Sequence, residues 1–368
     1  MAVDIPDCKD FTGYKPCHPG ENGEPCIDPK PRGKKILIIN IGAMGAVLMT
    51  SSILPAVKRK YPDSTVYWLT SERIIPLLEN NPCIDRVYPF DMSSVLVLQE
   101  IKFDAVMNTD KVHEICALTN RLKADEKLGF GLNEDGVIIP LNSGSEYNYR
   151  LGIDNKLKFR DNNKTYLMML REMCGLDHDI DDYVFQFTED ERKFIDGYKS
   201  VCGFKEGLPV IGINTGSSGL FKNKRIPYKT IELLIEDLFE LNDRQKIVLV
   251  GGLEDEERNL ELGKKYPDKV VNTPTTEGLR RGMAYVDICD IVITADSLGM
   301  HMAIALGKII IGWFNVTCAP EIEFYGRGEK IISQAECSPC WKQECNKDLI
   351  CLEENIRDRI IEAYKKII

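Results

Sequence analysis

Two doubly wound, parallel-sheet α/β domains in succession, facing a central cleft, are the architecture this sequence predicts. Three observations carry the prediction. Short, unbroken apolar runs of the buried-strand kind recur along the chain. Stretches with helical apolar spacing alternate with them. A length of 368 residues suits two domains rather than one.

The elements follow in order. Residues 1–34, rich in Pro, Gly, Cys and charge, read as an irregular Cys-rich arm. The run ILIIN at 36–40 is the first strand, a glycine-containing turn follows, and VLMTSSILPAVKRKYP at 47–62 has a helical pattern. TVYWLT (65–70) reads as a strand, RIIPLLENNP (73–82) as a helix, and DRVYPF (85–90) and FDAVMN (103–108) as strands. HEICALTNRL (113–122) is a helix and KLGFGL (127–132) a strand. A long, mostly polar helical region is expected over about 160–203. The alternation then restarts with strand PVIGIN (209–214), helix TIELLIEDLFEL (230–241), strand KIVLVGG (246–252), helix ERNLELGKKYP (257–267) and short strand KVVNT (269–273). Helix LRRGMAYVDIC (279–289), strand DIVITAD (290–296), helix MHMAIALG (300–307) and strand KIIIGWF (308–314) complete the series. The tail LEENIRDRIIEAYKKII is amphipathic at helical spacing. The expected division is an arm at 1–34, a first, acceptor-side domain at 35–180, a second, nucleotide-sugar-binding domain at 205–352 and a C-terminal helix at 353–368.

Charge and composition exclude some classes. A net charge of −10 gives no long-range attraction for nucleic acid or an anionic membrane. No run of about 18 apolar residues predicts a membrane-spanning helix. The acidic start lacks an apolar leader core, so the cytoplasm is the expected compartment, with a peripheral position at the inner membrane as the variant.

Ligands of doubly wound sheets bind beyond the carboxyl ends of the strands, so the turns there are the candidates for chemistry. Gly42-Ala43-Met44-Gly45-Ala46 lacks dinucleotide GxGxxG spacing, and no GxxxxGK[ST] occurs; a plain tight turn is the bland alternative. Thr215-Gly216-Ser217-Ser218 with Lys222, Lys224 and Arg225 offers amides, hydroxyls and cations before a helix, an anion site unless it is simply a solvated basic loop. Asp296-Ser297-Leu298-Gly299-Met300-His301 forms a second such turn, where a lone histidine also has an ordinary structural reading. Gly251-Gly252 is a third, and Glu254 and Asp255 beside it are suited to ribose hydroxyls or to plain exposure.

The ordered set GAMGAVLMTSSILPAVKRKYP, INTGSS…KNKRIP, VLVGG, VITADSLGMHMAIALG and GWFNVT resembles glycosyltransferase family 9, the ADP-heptose heptosyltransferases, from about Lys35 to Cys351. The resemblance implies a GT-B fold and inverting transfer of a sugar, expected to be heptose from ADP-heptose, to a hydroxyl of a glycan, lipopolysaccharide or protein. It implies a catalytic aspartate after Gly45, where this chain has Ala46. The GSS loop (Ser217, Ser218) with Lys224 and Arg225 would hold the diphosphate, with no metal or other cofactor in catalysis. Asp296, Ser297 and His301 would contact diphosphate and sugar, and Phe314 to Thr317 would line the far side of the cleft. Gly252 and Glu254 complete the expected donor contacts, and Gly299 stands where the family often has proline. A sugar-nucleotide-binding protein without activity and a GT-B-type sugar-nucleotide epimerase are the rival readings.

Ala46 has no proton acceptor, and a general base is worth about 10²–10⁴ in rate, so this chain is expected to bind donor but turn over poorly. Three accounts compete: a substitution introduced to trap a complex, which leads; another carboxylate, Asp110 at the end of FDAVMNTD; and a non-catalytic binder. The acceptor leaves no signature. The segment at 156–164 (KLKFRDNNK) would suit an anionic acceptor but reads first as a solvated face.

Six of the thirteen cysteines (Cys83, Cys116, Cys174, Cys202, Cys289, Cys318) are scattered and read as small buried hydrophobes. Cys337-x2-Cys340-x4-Cys345-x5-Cys351 is a compact four-thiol set, and Cys8, Cys17 and Cys26 are evenly spaced in the arm. Tetrahedral structural zinc or iron is the expectation, with disulfides or plain thiols as alternatives. The resemblance extends to metal-carrying members that modify autotransporter proteins. The Cys-rich arm is also a candidate assembly element.

Overall fold

A computed structural model describes residues 5–14, 29–217, 219–352 and 355–368. In chain order the elements are β1 (Lys35–Ile39), α1 (Met44–Thr50), α2 (Leu54–Lys60), β2 (Thr65–Thr70), β3 (Arg86–Pro89), α3 (Met92–Glu100), β4 (Lys102–Asn108), α4 (His113–Arg121), β5 (Lys123–Leu132), β6 (Ile138–Pro140), α5 (Ser143–Ile153), α6 (Tyr166–Met173) and α7 (Glu189–Cys202). They continue with β7 (Ile211–Asn214), α8 (Tyr228–Leu241), β8 (Ile247–Val250), α9 (Glu256–Lys265), β9 (Val270–Asn272), α10 (Gly278–Asp287), β10 (Ile291–Ala295), α11 (Leu298–Ala305), β11 (Ile309–Phe314), β12 (Gly328–Ile332) and α12 (Ile356–Ile367).

The chain forms two compact units that interleave along the sequence. The first comprises Met1–Ala43, Ser52–Arg150 and Met168–Asp181; the second comprises Met44–Ser51, Leu151–Leu167 and Asp182–Ile368. The first holds a sheet of order β3-β2-β1-β4-β5-β6, parallel except for β6, which runs antiparallel to β5. The second holds an all-parallel sheet of order β12-β11-β10-β7-β8-β9. Numbered from its own first strand, each sheet has the same doubly wound order 3-2-1-4-5-6. Strand order therefore reverses between β1 and β4 in one unit and between β7 and β10 in the other. Crevices at such switch points are where doubly wound sheets bind ligands.

The central strands β2, β7, β8 and β10 are buried along their whole length, as parallel strands covered on both faces must be. This is why they read as unbroken apolar runs rather than as alternation. The second core collects Ile211, Ile213, Leu249, Ile293 and Trp313 from its strands and Leu234 and Leu238 from α8. The C-terminal α12 joins the same core through Ile356, Ile360 and Tyr364, and Arg357 pairs with Asp237 of α8.

Three expected helices take another form. The pattern at 47–62 breaks into α1, a 3₁₀ turn at Ser51–Ile53 and α2, with Pro55 in the first turn of α2, where its missing N–H costs nothing. RIIPLLENNP gives only 3₁₀ turns over Glu72–Leu77, with Pro76 inside. The region 160–203 holds a π turn at Leu157–Asp161, then α6 and α7 separated by irregular chain. A positive φ of 58° at Gly175 follows α6. A capping box between Thr188 and Glu191 starts α7, and left-handed Gly203 ends it. In the first unit the irregular chain is held by Arg171, whose side chain is 1% exposed and pairs with Asp177 (2.9 Å) and Asp181 (2.6 Å). Arg59 engages the same two carboxylates. A buried guanidinium is tolerated only when paired in this way.

Candidate functional site

The site grows from the carboxyl ends of β7 and β10. Asn214, the last residue of β7, is buried, and its Nδ2 donates to Thr294 Oγ1 (2.9 Å), Ser297 Oγ (2.8 Å) and the Gly216 carbonyl (3.2 Å). One amide thus staples the turn after β7 to the turn after β10. Two glycines permit it. A Cβ on Gly299 would stand 2.7 Å from Asn214 Cγ, and one on Gly216 would stand 2.0 Å from Asp255 Oδ2. Neither turn admits a larger residue without moving.

The second turn carries the charged centre. Asp296 accepts from Lys224 Nζ at 3.0 Å and from the Thr317 hydroxyl. His301 Nε2 lies 3.9 Å from Asp296 Oδ1, and His301 Nδ1 lies 3.3 Å from the Tyr183 hydroxyl. Burial works to raise the Asp296 pKa, but the Lys224 charge, His301 and hydrogen bonds from Thr317 and Lys224 outweigh it and hold the carboxyl below its ordinary value. Burial lowers His301; the Asp296 charge opposes this and Lys224 reinforces it, so the imidazole is kept neutral. The result is an anionic carboxylate, an ammonium and a neutral imidazole together in a water-poor setting.

Gly45, at the start of α1, packs directly on the histidine: a Cβ there would sit 2.4 Å from His301 Cδ2. Ala46 is the next residue, half-buried, and offers only a methyl group. Asp110 belongs to the first unit, after β4. It accepts from the amides of Ile41 and Gly42, and its carboxyl is raised by burial against those two bonds. It therefore anchors the turn after β1.

Around the first turn, Arg225 pairs with Asp255 (3.1 Å) and reaches Glu254 (3.7 Å) and the Ser217 carbonyl (3.4 Å). Ser217 is itself buried, with its hydroxyl on the Phe221 carbonyl. Asp255 is buried and caps the Gly252 amide, so it shapes the glycine turn, whereas Glu254 keeps an exposed carboxylate. Arg258 donates to the carbonyls of Thr215 and Ile226. Ser218, Cys17 and Cys26 lie outside the described residues.

The structure thus gathers Gly45, Ser217, Lys224, Arg225, Gly252, Glu254, Asp296, Ser297, Gly299, His301 and Thr317 in one unit. Sequence reading placed Asn214 in the INTGSS loop without giving it a role, and missed Arg258 and Tyr183. Asn214 ends an apolar strand beside a glycine turn, a signal that was legible; Tyr183 lies in irregular chain and gave none.

The segment at 156–164 is not a plain solvated face. Lys158 Nζ sits 3.7 Å over the Trp341 ring, and Arg160 donates to the carbonyls of Ser338 and Glu336. Both line a cavity of about 410 Å³ that also touches Thr317. Ser338 and Pro339, between Cys337 and Cys340 of the thiol cluster, also line it. Cys351 is buried and accepts from Asn315 Nδ2 at 3.3 Å, and Cys345 accepts from the Lys347 amide at 3.4 Å. Burial pushes the Cys351 thiol up, the Asn315 hydrogen bond opposes this, and nearby Cys337, Cys345 and Cys340 add to the rise. Among the described residues, however, no three His, Cys, Asp or Glu side chains form a group that could hold a metal ion. The segment is tied to the charged centre: Asn223, beside Lys224, donates to the Lys342 carbonyl, and Asn315 donates to the Asn223 carbonyl.

No helix among the described residues is long and apolar enough to cross a membrane. Lipopolysaccharide heptosyltransferase 1 of Campylobacter coli is 25% identical over 348 residues, covering 90% of this chain and 98% of its own. The E. coli ADP-heptose lps heptosyltransferase II structure is similar at a TM-score of 0.64 and 16% identity, covering 90% and 98% of the two chains. TibC of enterotoxigenic E. coli, an iron-containing dodecameric heptosyltransferase, is similar at a TM-score of 0.54 and 10% identity, over 94% of this chain and 80% of that one. With two doubly wound sheets, these likenesses give the GT-B fold. A model described as glycosyltransferase family 9 (heptosyltransferase) matches residues 96–350, and the chain accordingly belongs to that family of glycosyltransferases.

Proposed function

We propose that this glycosyltransferase binds ADP-heptose between the turns after β7 and β10 and transfers the heptose to a hydroxyl of a glycan, lipopolysaccharide or protein acceptor. The observation that carries the reading is the Lys224–Asp296–His301–Thr317 cluster at the switch point of the second sheet. Lys224 and Arg225 neutralise the departing diphosphate, where charge develops as the glycosidic bond breaks. Asp296 and the neutral His301 hydrogen-bond the sugar and its linkage, and Asn214 holds both turns in register. Glu254, free of the folding role that Asp255 performs, suits the ribose hydroxyls. The chemistry requires no metal.

Among the described residues the expected base position carries no proton acceptor. Ala46 occupies the expected base position, and Asp110, whose Oδ2 holds the amides of Ile41 and Gly42, would have only Oδ1 to offer as a base. Ala46→Asp is expected to raise turnover about 10²–10⁴-fold with a competent acceptor. No gain would show that the position is not the base.

Cys337, Cys340, Cys345 and Cys351 would hold a structural zinc or iron if the four thiols drew together, a grouping that the described residues do not form as they stand. Donors to sulfur from Asn315 and from the Lys347 amide support this, because such bonds orient thiolate ligands. The proposed compartment is the cytoplasm.

The first test is calorimetric titration with ADP-heptose, UDP-glucose and GDP-mannose, which needs neither acceptor nor base. Micromolar binding of ADP-heptose alone supports the reading; binding of none of the three refutes it.

A further inference from the structure

We propose that Tyr183 is a positioning residue: its hydroxyl donates to His301 Nδ1 and so fixes the tautomer that carries its proton on Nε2. This makes His301 a hydrogen-bond donor toward the Asp296 side of the site rather than a proton acceptor. The inference deepens the donor-site reading above and rests on it for its functional consequence.

Three contacts define the ring. Tyr183 and His301 stack with centroids 6.2 Å apart and planes 17° apart. The Tyr183 oxygen is 3.3 Å from Nδ1. The Cδ2 edge rests on Gly45, where no side chain fits. Turning the ring over would exchange Nδ1 with Cδ2, placing a nitrogen on Gly45 and a carbon on the phenol, so the stacked pocket selects one orientation.

The tautomer follows from what faces each nitrogen. A neutral imidazole has one N–H and one lone pair, and the partner of one nitrogen decides the other. The Tyr183 phenol is buried, and burial holds it protonated, well above its ordinary pKa. It is a donor, and Nδ1 is its acceptor. On the opposite side Nε2 faces the carboxylate of Asp296 at 3.9 Å. An N–H directed at that negative charge is favoured, and a lone pair there is repelled. The two environments agree. Lys224 on the other oxygen of Asp296 balances that carboxylate's charge, so in the donor-site reading above the Nε2 N–H serves an oxygen of the sugar or its diphosphate linkage.

Without the hydroxyl, Nδ1 loses its donor and gains freedom to carry the proton itself. The Nε2 lone pair would then oppose the ligand's oxygens. Tyr183→Phe preserves the ring, the stacking and the edge contact with Tyr325, and removes only the donor.

The experiment uses ¹⁵N-histidine-labelled full chain. With four histidines in the chain, the His301 signals are assigned by their loss in His301→Gln. The expected wild-type result is a protonated Nε2 and an unprotonated Nδ1 at neutral pH. In Tyr183→Phe, the Nδ1-protonated or doubly protonated form appears, and ADP-heptose affinity falls about tenfold, the scale of one hydrogen bond to a charged group. Tyr325→Phe, which removes a neighbouring phenol from the same aromatic cluster, leaves both readouts unchanged. A wild-type His301 carrying its proton on Nδ1 overturns the proposal, as does a Tyr183→Phe chain with unaltered tautomer and affinity. Should Tyr183→Phe fold poorly, the wild-type tautomer still decides. If His301 is Nε2-protonated but the wild-type chain binds no ADP-heptose, the donor assignment fails and the positioning role stands.

Discussion

Replacing Asn214 tests the idea that a single amide couples the two ligand turns. Its Nδ2 serves Thr294, Ser297 and the Gly216 carbonyl at 2.8 to 3.2 Å, in a side chain 6% exposed. A neutral buried hydrogen bond contributes about 0.5–1.5 kcal/mol net. Asn214→Ala, which loses two good bonds and one longer one, should therefore cost about 2–3 kcal/mol. For a unit of roughly 200 residues, this lowers Tm by about 5–10 °C. Asn214→Asp preserves shape but turns the donor into a carboxylate facing the Gly216 carbonyl, which cannot reverse its polarity. Rotation of the two hydroxyls offsets part of that, yet an incompletely paired buried charge costs about 3–5 kcal/mol. The aspartate variant should thus be less stable than the alanine variant at pH 7. Its carboxyl pKa would be raised by folding. The folded state then binds the proton more readily than the unfolded chain, and stability recovers as pH falls toward about 4. Calorimetric unfolding of both variants between pH 5 and 8, with donor titration alongside, measures all of this. An aspartate variant as stable as wild type at pH 7 would refute the staple, and so would an alanine variant with unchanged Tm and donor affinity.

Gly216→Ala, which sets a methyl carbon 2.0 Å from Asp255 Oδ2, should destabilise by about 1–3 kcal/mol and weaken donor binding; equal Tm and affinity would show that the turn yields freely. Because burial lowers His301, the unfolded chain takes up that proton more readily than the folded one. Its contribution is therefore complete above about pH 6.5 and declines as pH falls below it, by at most about 1.4 kcal/mol per pH unit. His301→Gln should flatten that part of the pH profile, and an unchanged slope would assign it to other groups. Elemental analysis should find close to one zinc or iron per chain, and Cys351→Ser should lower both metal content and thermal stability; metal-free protein as purified would argue for plain thiols. Asn315→Ala, which removes a donor to Cys351 and cuts the link between the thiol segment and the turn of Lys224, should weaken both metal retention and ADP-heptose binding, whereas unaltered donor affinity would mean that the two regions act separately.

Much of this was legible in the residues themselves. Burial on both faces of a parallel strand leaves an unbroken apolar run, so ILIIN, VITA and IIIGWF announced their state locally. The glycine turns beyond them were legible too, because each turn is set by a few adjacent residues. The limits were equally physical. RIIPLLENNP has helical spacing, but Pro76 stops the ladder, and the polar region at 160–203 conceals an irregular stretch whose order comes from its own Arg171 and from the distant Arg59. The role of Asp255 could not be read because a carboxylate that binds ribose and one that caps a buried amide look alike in sequence. The sequence by itself determined the two doubly wound sheets and the glycine turns beyond their strands, since each depends on neighbours in the chain, while the carboxylate expected at Ala46 came from the family resemblance alone. Only the tertiary structure decided that Asn214 joins two turns 83 residues apart, that Gly45 makes room for His301, and that Tyr183 meets that ring from 118 residues away. Those pairings arise from where the packed strands and helices end, which local sequence cannot express.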